Sequence, residues 1–377
     1  MIYFITYSEK FNGIYFSQVI DVCNKIQILS NKKVILISLV SLRFFKKERL
    51  IIKEHYKNSF VIPMFPKIKF WKLNILSLIP IFLFTKNNAL ISRNAISTNL
   101  GFKLRKLGLI KKVIFDARAV EYEQFKEYKI VTDKLFVKKF FDIEKKAVLN
   151  SDFRLAISHE LVNYWSKKFN FSKKNYKVIP STLNSVHLSN VRTINRESLG
   201  FNKSDIIFVY SGSSSGWQSF SKMIQFIELF LIKNAKYKLL ILSKKTNVIK
   251  KLLLKYPNQI SVKWLNPNNV LPVLKICDYG LIIRENSLTN YVASPVKFAE
   301  YLYSGLKIII SSNIGDYSKF VQDNDCGYID SDCNFDLKKV TLKEKETNIE
   351  IAKVYFTKDS KFIEAKYSML LNIIHAN

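Results

Sequence analysis

The sequence has few cysteines and histidines, and they are not arranged as a metal site or a disulfide framework. There are four of each, no C-x-x-C pair occurs, and the histidines are scattered. Metal centres and disulfide scaffolds need clustered or regularly spaced ligands. We therefore predict a reduced, cytoplasmic protein with no metal ion. The residues are Cys23, Cys277, Cys326, Cys333, His55, His159, His187 and His375.

A bilayer-spanning run is missing as well. The longest apolar run, Ile75 to Phe84, is interrupted by Ser77 and Pro80 and is shorter than the roughly 20 residues that a spanning helix needs. The first residues, MIYFITYSEKF, open as a strand, with neither a basic leader nor a small-residue cleavage site. We expect neither a transmembrane helix nor a signal peptide.

Acidic residues are scarce, which leaves a formal net charge of +30. Residues 1–200 contain 36 Lys and Arg against 14 Asp and Glu, whereas residues 201–377 contain 24 against 16. The first half is therefore expected to meet an anionic partner, and nucleic acid, an acidic membrane or a phosphorylated lipid or glycan would all satisfy the charge. No helix-turn-helix, zinc or RNA-binding signature is visible and the basic residues are dispersed, so we predict no nucleic acid partner.

One basic stretch, Ser41 to Lys57, mixes lysine and arginine with aromatic and aliphatic residues. A helix of this composition could lie on an acidic membrane surface. It could equally be an ordinary surface helix whose apolar side covers the core. The sequence leaves both interpretations open.

Apolar strands alternate with amphipathic helices along the whole chain, which is typical of doubly wound α/β folding. At 377 residues the chain is long enough for two domains. We predict an N-terminal Rossmann-like domain at residues 1–185, a second at 186–345 and a C-terminal helical segment at 346–377. The predicted strands are Ile2–Thr6, Lys33–Ser38, Asn88–Ser92, Val113–Asp116, Phe153–Ile157, Ile206–Tyr210, Lys238–Leu242, Ser261–Lys263, Tyr279–Ile283 and Lys307–Ile310.

The segment from Ser294 to Asp316 indicates an anion site at a helix N-terminus. Ser294 is predicted to be the N-cap and Pro295 the first helical residue. Unpaired amides at such an end attract a phosphate, with Lys297 as its counterion. Glu300, one turn later, would be repelled by a phosphate and suits the hydroxyls of an attached ribose. The alternative is a well-capped helix that binds nothing.

Three further strand ends could serve the same ligand, because ligands of open parallel sheets lie beyond the carboxyl ends of the strands. Ser211 to Gln218 reads SGSSSGWQ, a loop that would expose amides to a phosphate, or would be only a flexible turn. Lys244 follows the next strand and could neutralise a diphosphate leaving group, or be one of two adjacent surface lysines. Arg284 and Glu285 follow a third strand, a few residues before the phosphate-binding helix.

These residues carry a resemblance to a known family. Arg284-Glu285, Pro295, Lys297, Glu300-Tyr301-Leu302 and Gly305, followed by an apolar strand and Ile314-Gly315-Asp316, resemble the carboxy-terminal motif of GT4-type glycosyltransferases of the GT-B fold. The relatives concerned are bacterial enzymes of polysaccharide, capsule and lipopolysaccharide assembly. The first half agrees through NGIYFSQV at Asn12 to Val19, Ser92 to Asn94, and Phe115 to Arg118 followed by Glu121 and Tyr122.

The resemblance implies two facing Rossmann-like domains, with a C-terminal helix packing back on the first. The second would hold a nucleotide-sugar donor, with Glu300 on the ribose, Ser294 and Lys297 on the diphosphate, and Gly212 and Ser213 close by. The first would hold the acceptor, through residues that include Asn12, Gly13 and Arg93. Retention of anomeric configuration, a metal-independent mechanism and no cofactor are also implied.

Two departures from the family pattern change the expected roles. Many relatives have a glutamate where this chain has Val292, so Arg284 or Glu285 would replace its contacts to the sugar, and Glu285 becomes a candidate catalytic residue. The usual arginine of the glycine-loop region is also missing, which leaves Lys244 or Arg284 to supply charge.

The end of the fourth strand of the first half carries Asp116 and Arg118. Asp116 is the candidate for acceptor orientation or base duty, and Arg118, with Arg93, for binding the acceptor or stabilising charge. The structural alternative is an internal Asp116–Arg118 salt bridge that shapes the loop.

The resulting hypothesis is a cytoplasmic glycosyltransferase, attached peripherally to the inner face of an anionic membrane, that extends a glycan or lipid-linked acceptor for the cell surface. Two other hypotheses stay open. One is a catalytically inactive GT-B scaffold in a polysaccharide-assembly complex, which the missing glutamate would explain. The other is a basic nucleic-acid-binding protein, which only the charge supports.

Overall fold

The computed structural model describes residues 1–83, 89–184, 194–213, 216–266, 269–332 and 337–375. The chain divides into two compact units: unit 1 is Met1–Pro180 with Lys361–Asn377, and unit 2 is Ser181–Ser360. The predicted boundary at 185/186 falls within 185–193, outside the described residues. The chain returns to unit 1 at Lys361, whereas the sequence prediction began the C-terminal segment at residue 346.

Unit 1 is built on a seven-stranded sheet in the order β3-β2-β1-β4-β5-β6-β7, and every neighbouring pair is parallel. β1 and β4 are buried on both faces, as expected where helices cover both sides of a parallel sheet. All five strands predicted for this half are present with slightly shifted ends, and β3 and β7 were not predicted. The strands are β1 (Ile2–Tyr7), β2 (Val34–Ser41), β3 (Ser59–Met64), β4 (Ala89–Arg93), β5 (Lys112–Asp116), β6 (Phe153–Ala156) and β7 (Tyr176–Val178).

Helices connect these strands. The predicted stretch Ser41 to Lys57 contains α3, which packs against β3 and β2 and buries Glu48 and Ile52. The helices are α1 (Gly13–Tyr15), α2 (Asp21–Ser30), α3 (Phe45–His55), α4 (Ile75–Phe82), α5 (Ala95–Lys106), α6 (Glu121–Tyr128), α7 (Lys134–Asn150) and α8 (His159–Phe169). A π-helical turn, Phe16–Ile20, joins α1 to α2, and 3₁₀ turns at Leu42–Phe44 and Ile68–Asn74 precede α3 and α4.

Unit 2 repeats the design with six parallel strands in the order β10-β9-β8-β11-β12-β13. The five strands predicted for this half are confirmed, and β13 was not predicted. The strands are β8 (Ile206–Ser211), β9 (Tyr237–Leu242), β10 (Ile260–Lys263), β11 (Tyr279–Ile282), β12 (Lys307–Ile310) and β13 (Gly327–Ile329). The helices are α9 (Phe220–Lys233), α10 (Asn247–Lys255), α11 (Val270–Leu274), α12 (Leu288–Tyr291), α13 (Val296–Tyr303), α14 (Gly315–Asp323) and α15 (Leu342–Phe356), with 3₁₀ turns at Glu197–Leu199 and Gly216–Gln218.

The last helix, α16 (Lys361–His375), belongs to unit 1. It contributes Ile363, Tyr367 and Leu370 to the same apolar cluster as Ile2 and Phe4 of β1. An ion pair of 2.6 Å between Lys25 Nζ in α2 and Glu364 Oε1 also holds it. The first and last segments of the chain therefore share one core.

No helix in the described ranges is long and apolar enough to cross a membrane. Cys23, Cys277 and Cys326 are buried free thiols, and Cys333 lies outside the described residues. Among the residues that the structure describes, no cluster of His, Cys, Asp and Glu could hold a metal ion.

Both sheets reverse their strand order once, between β1 and β4 in unit 1 and between β8 and β11 in unit 2. At such a switch point the connections leave in opposite directions and open a crevice beyond the carboxyl ends of the strands. The two switch points are therefore where the predicted site residues have to be sought.

Candidate functional site

The switch point of unit 2 brings Lys297 and Arg284 to one acceptor atom. Lys297 lies in the first turn of α13, and its Nζ donates to Oε1 of Gln218 at 2.9 Å. Arg284 follows β11, and its Nη2 donates to the same oxygen at 3.3 Å. Two cations thus converge on one neutral amide oxygen, at the place where the sequence predicts a diphosphate.

Lys297 is held in a site that disfavours its charge. Only 8% of its surface is exposed, and Nζ lies 4.3 Å from the centroid of the Tyr210 ring. Burial lowers the pKa of Lys297 well below its usual range; the positive charge of Arg284 acts in the same direction, and Glu300 opposes it. Within the described ranges, Lys297 has no carboxylate at ion-pair distance. An anion entering here would supply the missing negative charge.

Arg284 is anchored on several sides. It is 5% exposed, its backbone N–H donates to Ser311 Oγ at 3.0 Å, and Nη1 donates to Asn290 Oδ1 at 3.4 Å. Lys222 Nζ donates to its carbonyl oxygen at 3.0 Å. The backbone of Arg284 is therefore held on two sides, while its guanidinium makes long contacts to Asn290 and Gln218.

Gly212 makes room for the lysine. Its φ of +152° is one that side chains rarely adopt, and a Cβ at this position would lie 3.0 Å from Lys297 Nζ. The carbonyl oxygen of Ser213 accepts from the Tyr210 hydroxyl at 2.6 Å. Residues 214–215 of the predicted loop lie outside the described residues. Gly212 and Lys297 are thus neighbours, as the prediction of a shared phosphate site requires.

The prediction that Ser294 caps the helix is wrong by one residue. α13 begins at Val296, and its N-cap is Pro295, whose φ of −70° and ψ of 120° are extended. The Ser294 hydroxyl instead accepts from the backbone N–H of Ser181 at 2.8 Å and hydrogen-bonds to the Tyr317 hydroxyl. A contact between this hydroxyl and a diphosphate would have to replace those bonds.

Glu300 lies one turn after Lys297 and is half-buried. Burial raises the pKa of its carboxyl group, and Lys297 opposes the shift. In the described part of the chain no residue donates a well-formed hydrogen bond to this carboxylate. Its oxygens are therefore able to accept from an incoming hydroxyl.

Two other predicted donor residues are not brought to Gln218. Lys244 is exposed, and its Nζ lies 5.1 Å from the centroid of the exposed Trp264 ring. Glu285 has an exposed side chain, and only its backbone is held, with N–H donating to Ser219 Oγ at 2.9 Å. Val292, where relatives have a glutamate, is 1% exposed.

The switch point of unit 1 contains a network of opposite charges. Asp116, at the end of β5, is 1% exposed, with Oδ1 2.9 Å from Arg118 Nε and Oδ2 3.5 Å from Arg93 Nη1. Both are ion-pair distances, but neither contact has the alignment of a hydrogen bond. The salt bridge foreseen as the structural alternative is therefore present, and it includes a second arginine.

Arg93 is the centre of this network. Its Nε donates to both carboxylate oxygens of Glu9, at 3.0 and 2.9 Å, and its Nη1 donates to the carbonyl oxygen of Gln18 at 3.3 Å. Burial would lower the pKa of Arg93, but Glu9 and Asp116 outweigh it and raise that pKa above its usual value. Glu9 was missed. It lies two residues beyond the end of β1, whereas Arg93 is the last residue of β4.

Asn12 and Gly13 begin the helix that follows β1, and both are exposed. Asn12 is the N-cap of α1, where its Oδ1 accepts from the N–H of Tyr15 at 2.9 Å. Gln18, whose carbonyl oxygen accepts from Arg93, lies in the π-helical turn that follows α1.

Two glutamates, Glu144 fully buried and Glu121 half-buried, lie behind this network. Glu144, in the middle of α7, is fully buried and accepts from the backbone N–H groups of Glu121 and Tyr122 at 2.9 and 3.1 Å. Glu121 Oε1 accepts from the N–H of Ala95 at 2.7 Å. Burial raises the pKa of each carboxyl group to about 8, and the charge of Glu121 adds to the shift of Glu144. Glu144 was not predicted.

No protein-family model matches the sequence, and no curated protein matches it by sequence. Solved structures do match over nearly their whole length. Sucrose-phosphate synthase of Thermosynechococcus elongatus superposes with a TM-score of 0.67 at 12% identity, covering 98% of each chain. Anabaena HepE, solved with UDP and glucose, gives 0.67 at 10% identity, covering 98% of this chain and 99% of its own.

The chain has the GT-B fold. A variant of TarM from S. aureus, solved with Fondaparinux, alpha-GlcNAc-glycerol and UDP, agrees with this at a TM-score of 0.62 and 9% identity, covering 100% of this chain and 99% of its own. The predicted fold class, two Rossmann-like domains of the GT-B type, is confirmed. At these identities the similarity establishes the fold.

Proposed function

We propose that the protein is a glycosyltransferase that moves a sugar from a nucleoside-diphosphate sugar to a glycan acceptor. The observation that carries this is the convergence of Lys297 and Arg284 on Gln218 Oε1, beside Gly212, at the switch point of unit 2. Two buried cations that share one neutral acceptor form a receptor for a dianion. HepE and TarM, which share the fold, were both solved with UDP.

In the proposed reaction, the bond between the anomeric carbon and the β-phosphate oxygen breaks, and its electrons pass to the diphosphate. Lys297 and Arg284 stabilise the charge that develops there, which is the main electrostatic demand of the step. The acceptor hydroxyl bonds to the anomeric carbon, and its proton leaves to a diphosphate oxygen. Retention of configuration, absence of a metal and absence of a cofactor are parts of the proposal.

The remaining donor contacts follow from position. Glu300 would accept from the ribose hydroxyls, and the amides at the start of α13, with Ser294, Gly212 and Ser213, would face the phosphates. Lys244 and Glu285, both exposed, would reach the donor only if their side chains moved.

The acceptor side of the proposal rests on unit 1. Asp116 would orient an acceptor hydroxyl, and Arg93 and Arg118 would keep the Asp116 carboxylate ionised. Asn12 and Gly13, at the start of α1, would also contact the acceptor. A lipid-linked acceptor met at an anionic membrane surface, with a role in cell-surface polysaccharide synthesis, also belongs to this proposal. We keep the predicted absence of a nucleic acid partner.

A thermal-shift screen over nucleoside diphosphates and their sugars tests the donor assignment, because a ligand that binds only the folded state raises the melting temperature. We expect one class of nucleotide to stabilise the wild type, and Lys297→Ala and Arg284→Ala to lose that shift. Lys250→Ala, an exposed lysine in α10, is the matched control. If no nucleotide stabilises the wild type, the proposal is wrong.

One observation favours a second candidate, an inactive GT-B scaffold: the buried Val292 stands where a sugar-contacting glutamate is expected. The scaffold would bind the nucleotide but neither hydrolyse nor transfer the sugar. Release of the nucleoside diphosphate from the stabilising nucleotide sugar distinguishes the two, because only the enzyme would release it.

A further inference from the structure

A helical segment of unit 1, residues 68–83, has an apolar face on each side. It runs through the 3₁₀ turn Ile68–Asn74 into α4. One face is buried: Trp71, Asn74, Leu78 and Phe82 are at most 5% exposed, and the Phe82 ring lies 4.6 Å from that of Tyr3. This buried face packs the segment against the core of unit 1.

The opposite face is apolar and turned to solvent. Phe70 is 45%, Leu73 44%, Leu76 61% and Leu83 56% exposed, and we call these four residues the apolar stripe. Leu76 and Leu83, seven residues apart, lie on one side of α4. Phe70 and Leu73 precede them in the 3₁₀ turn, which is kinked at Phe70. A surface helix of a globular protein normally presents polar residues here. Among the described residues, burial in the fold of unit 1 does not explain the stripe.

The surroundings of the stripe are basic. Lys67, Lys69 and Lys72 are exposed, and Lys69 Nζ lies 5.3 Å from the Phe70 ring. The sequence contains no acidic residue between Glu54 and Asp116. The stripe is therefore bordered by positive charge with no acidic neighbour along the chain.

We propose that the apolar stripe is a membrane-docking surface that inserts into the interface of an anionic bilayer, while the three lysines bind lipid phosphates. Apolar side chains flanked by lysines suit the boundary between headgroups and acyl chains. There, apolar burial and attraction to anionic headgroups both favour binding. The segment would lie in the plane of the surface, since about 20 residues are needed to span.

Other partners fit less well. A second copy of the chain would bring Lys67, Lys69 and Lys72 against the same three lysines. A nucleic acid would satisfy the lysines but leave the stripe in water. The stretch predicted from the sequence, Ser41 to Lys57, exposes Leu42 and Leu50, but α3 presents mainly charged side chains outward. The apolar stripe therefore offers more contiguous apolar side chains to a bilayer than α3 does.

Co-sedimentation of the full chain with lipid vesicles tests the proposal. We expect binding to vesicles that contain phosphatidylglycerol and little binding to pure phosphatidylcholine. Leu73→Ser with Leu76→Ser should weaken binding about tenfold or more, since each loses several buried methylene groups. Leu135→Ser, at a leucine of α7 that is 74% exposed, is the matched control and should bind as the wild type does.

A second variant, Lys69→Gln with Lys72→Gln, should reduce the preference for anionic lipid and its salt sensitivity. The proposal fails if the serine variant sediments with vesicles like the wild type, or if it loses self-association instead, which would identify a second copy as the partner. The inference rests on the membrane part of the proposed function but not on donor binding or catalysis: nucleotide thermal shifts of both variants should equal those of the wild type. Failure of vesicle binding and failure of donor binding are thus separate results.

Discussion

Lys297 Nζ donates to Gln218 Oε1 across 79 positions of sequence, at 2.9 Å. Arg284 donates to the same oxygen, so an uncharged amide occupies the position between two cations. A phosphate oxygen would make the same two contacts with a full charge, so a ligand would be expected to displace the amide.

Replacing the Gln218 amide by a carboxylate tests whether a ligand displaces it. Gln218→Glu should pair with both cations and compete with the ligand, which weakens nucleotide binding at least about tenfold, or about 1.4 kcal/mol. Gln218→Ala removes the competitor without adding charge, and its affinity should fall much less. Isothermal titration with the nucleotide that stabilises the wild type measures both. Equal affinity of the glutamate variant and the wild type would contradict the role given to Gln218.

Gly212→Ala should weaken the same binding. The new Cβ would lie 3.0 Å from Lys297 Nζ, and the φ of +152° would be strained, at a cost of about 1–2 kcal/mol in the free energy of unfolding. Gly200→Ala is the control, because its φ is +83° and a Cβ there would meet nothing within 4 Å. Both variants should unfold at lower urea concentration, but only the first should lose nucleotide affinity.

Asp116→Asn should destabilise unit 1, because it leaves Arg93 and Arg118 without the carboxylate that lies between them. Removing one member of a buried ion pair costs about 3–5 kcal/mol, and Glu9 should keep the loss at the lower end. Glu350→Gln, which breaks an exposed pair with Lys353, should cost less than about 1 kcal/mol. Urea unfolding measures both. A stable Asp116→Asn protein that has lost transfer activity would assign the residue to chemistry rather than to the salt bridge.

The fully buried Glu144 and the half-buried Glu121 should make unit 1 less stable as the pH rises. Each pKa is raised from 4.5 to about 8, so the folded state holds protons that the unfolded state releases between those values. This contribution is fully present below about pH 4.5 and is lost as the pH passes 8. Glu144→Gln should flatten the profile of unfolding free energy between pH 5 and pH 8, whereas Glu54→Gln, at an exposed position in α3, should not. Parallel profiles for Glu144→Gln and the wild type would contradict the assignment.

The strands were predictable where the chain is apolar on both faces. β1, β8 and β12 consist mostly of Ile, Phe, Val and Tyr, which is typical of parallel strands buried by helices on two sides. β3 was missed because it contains Pro63 and lies at the edge of its sheet, where only one neighbour constrains it. Buried central strands were therefore predictable from the sequence, and the strands that were missed, β3, β7 and β13, all lie at sheet edges.

The site was predictable in its charges and less so in its partners. Lys297 and Gly212 follow from local rules for helix ends and strand ends. Gln218 was not foreseen as a shared acceptor because a neutral amide carries no charge signal and its donors come from distant segments. Ser294 was placed as a cap from local rules, but Ser181 and Tyr317, which compete for its hydroxyl, are also distant in sequence.

The order in which the two units can be completed during synthesis follows from α16. Unit 1 needs Ile363, Tyr367 and Leu370 to complete the core that includes Ile2, and these residues are synthesised after the whole of unit 2. Unit 2 has its whole sequence available earlier. Part of the apolar surface of unit 1 therefore stays uncovered until the whole of unit 2 has been synthesised.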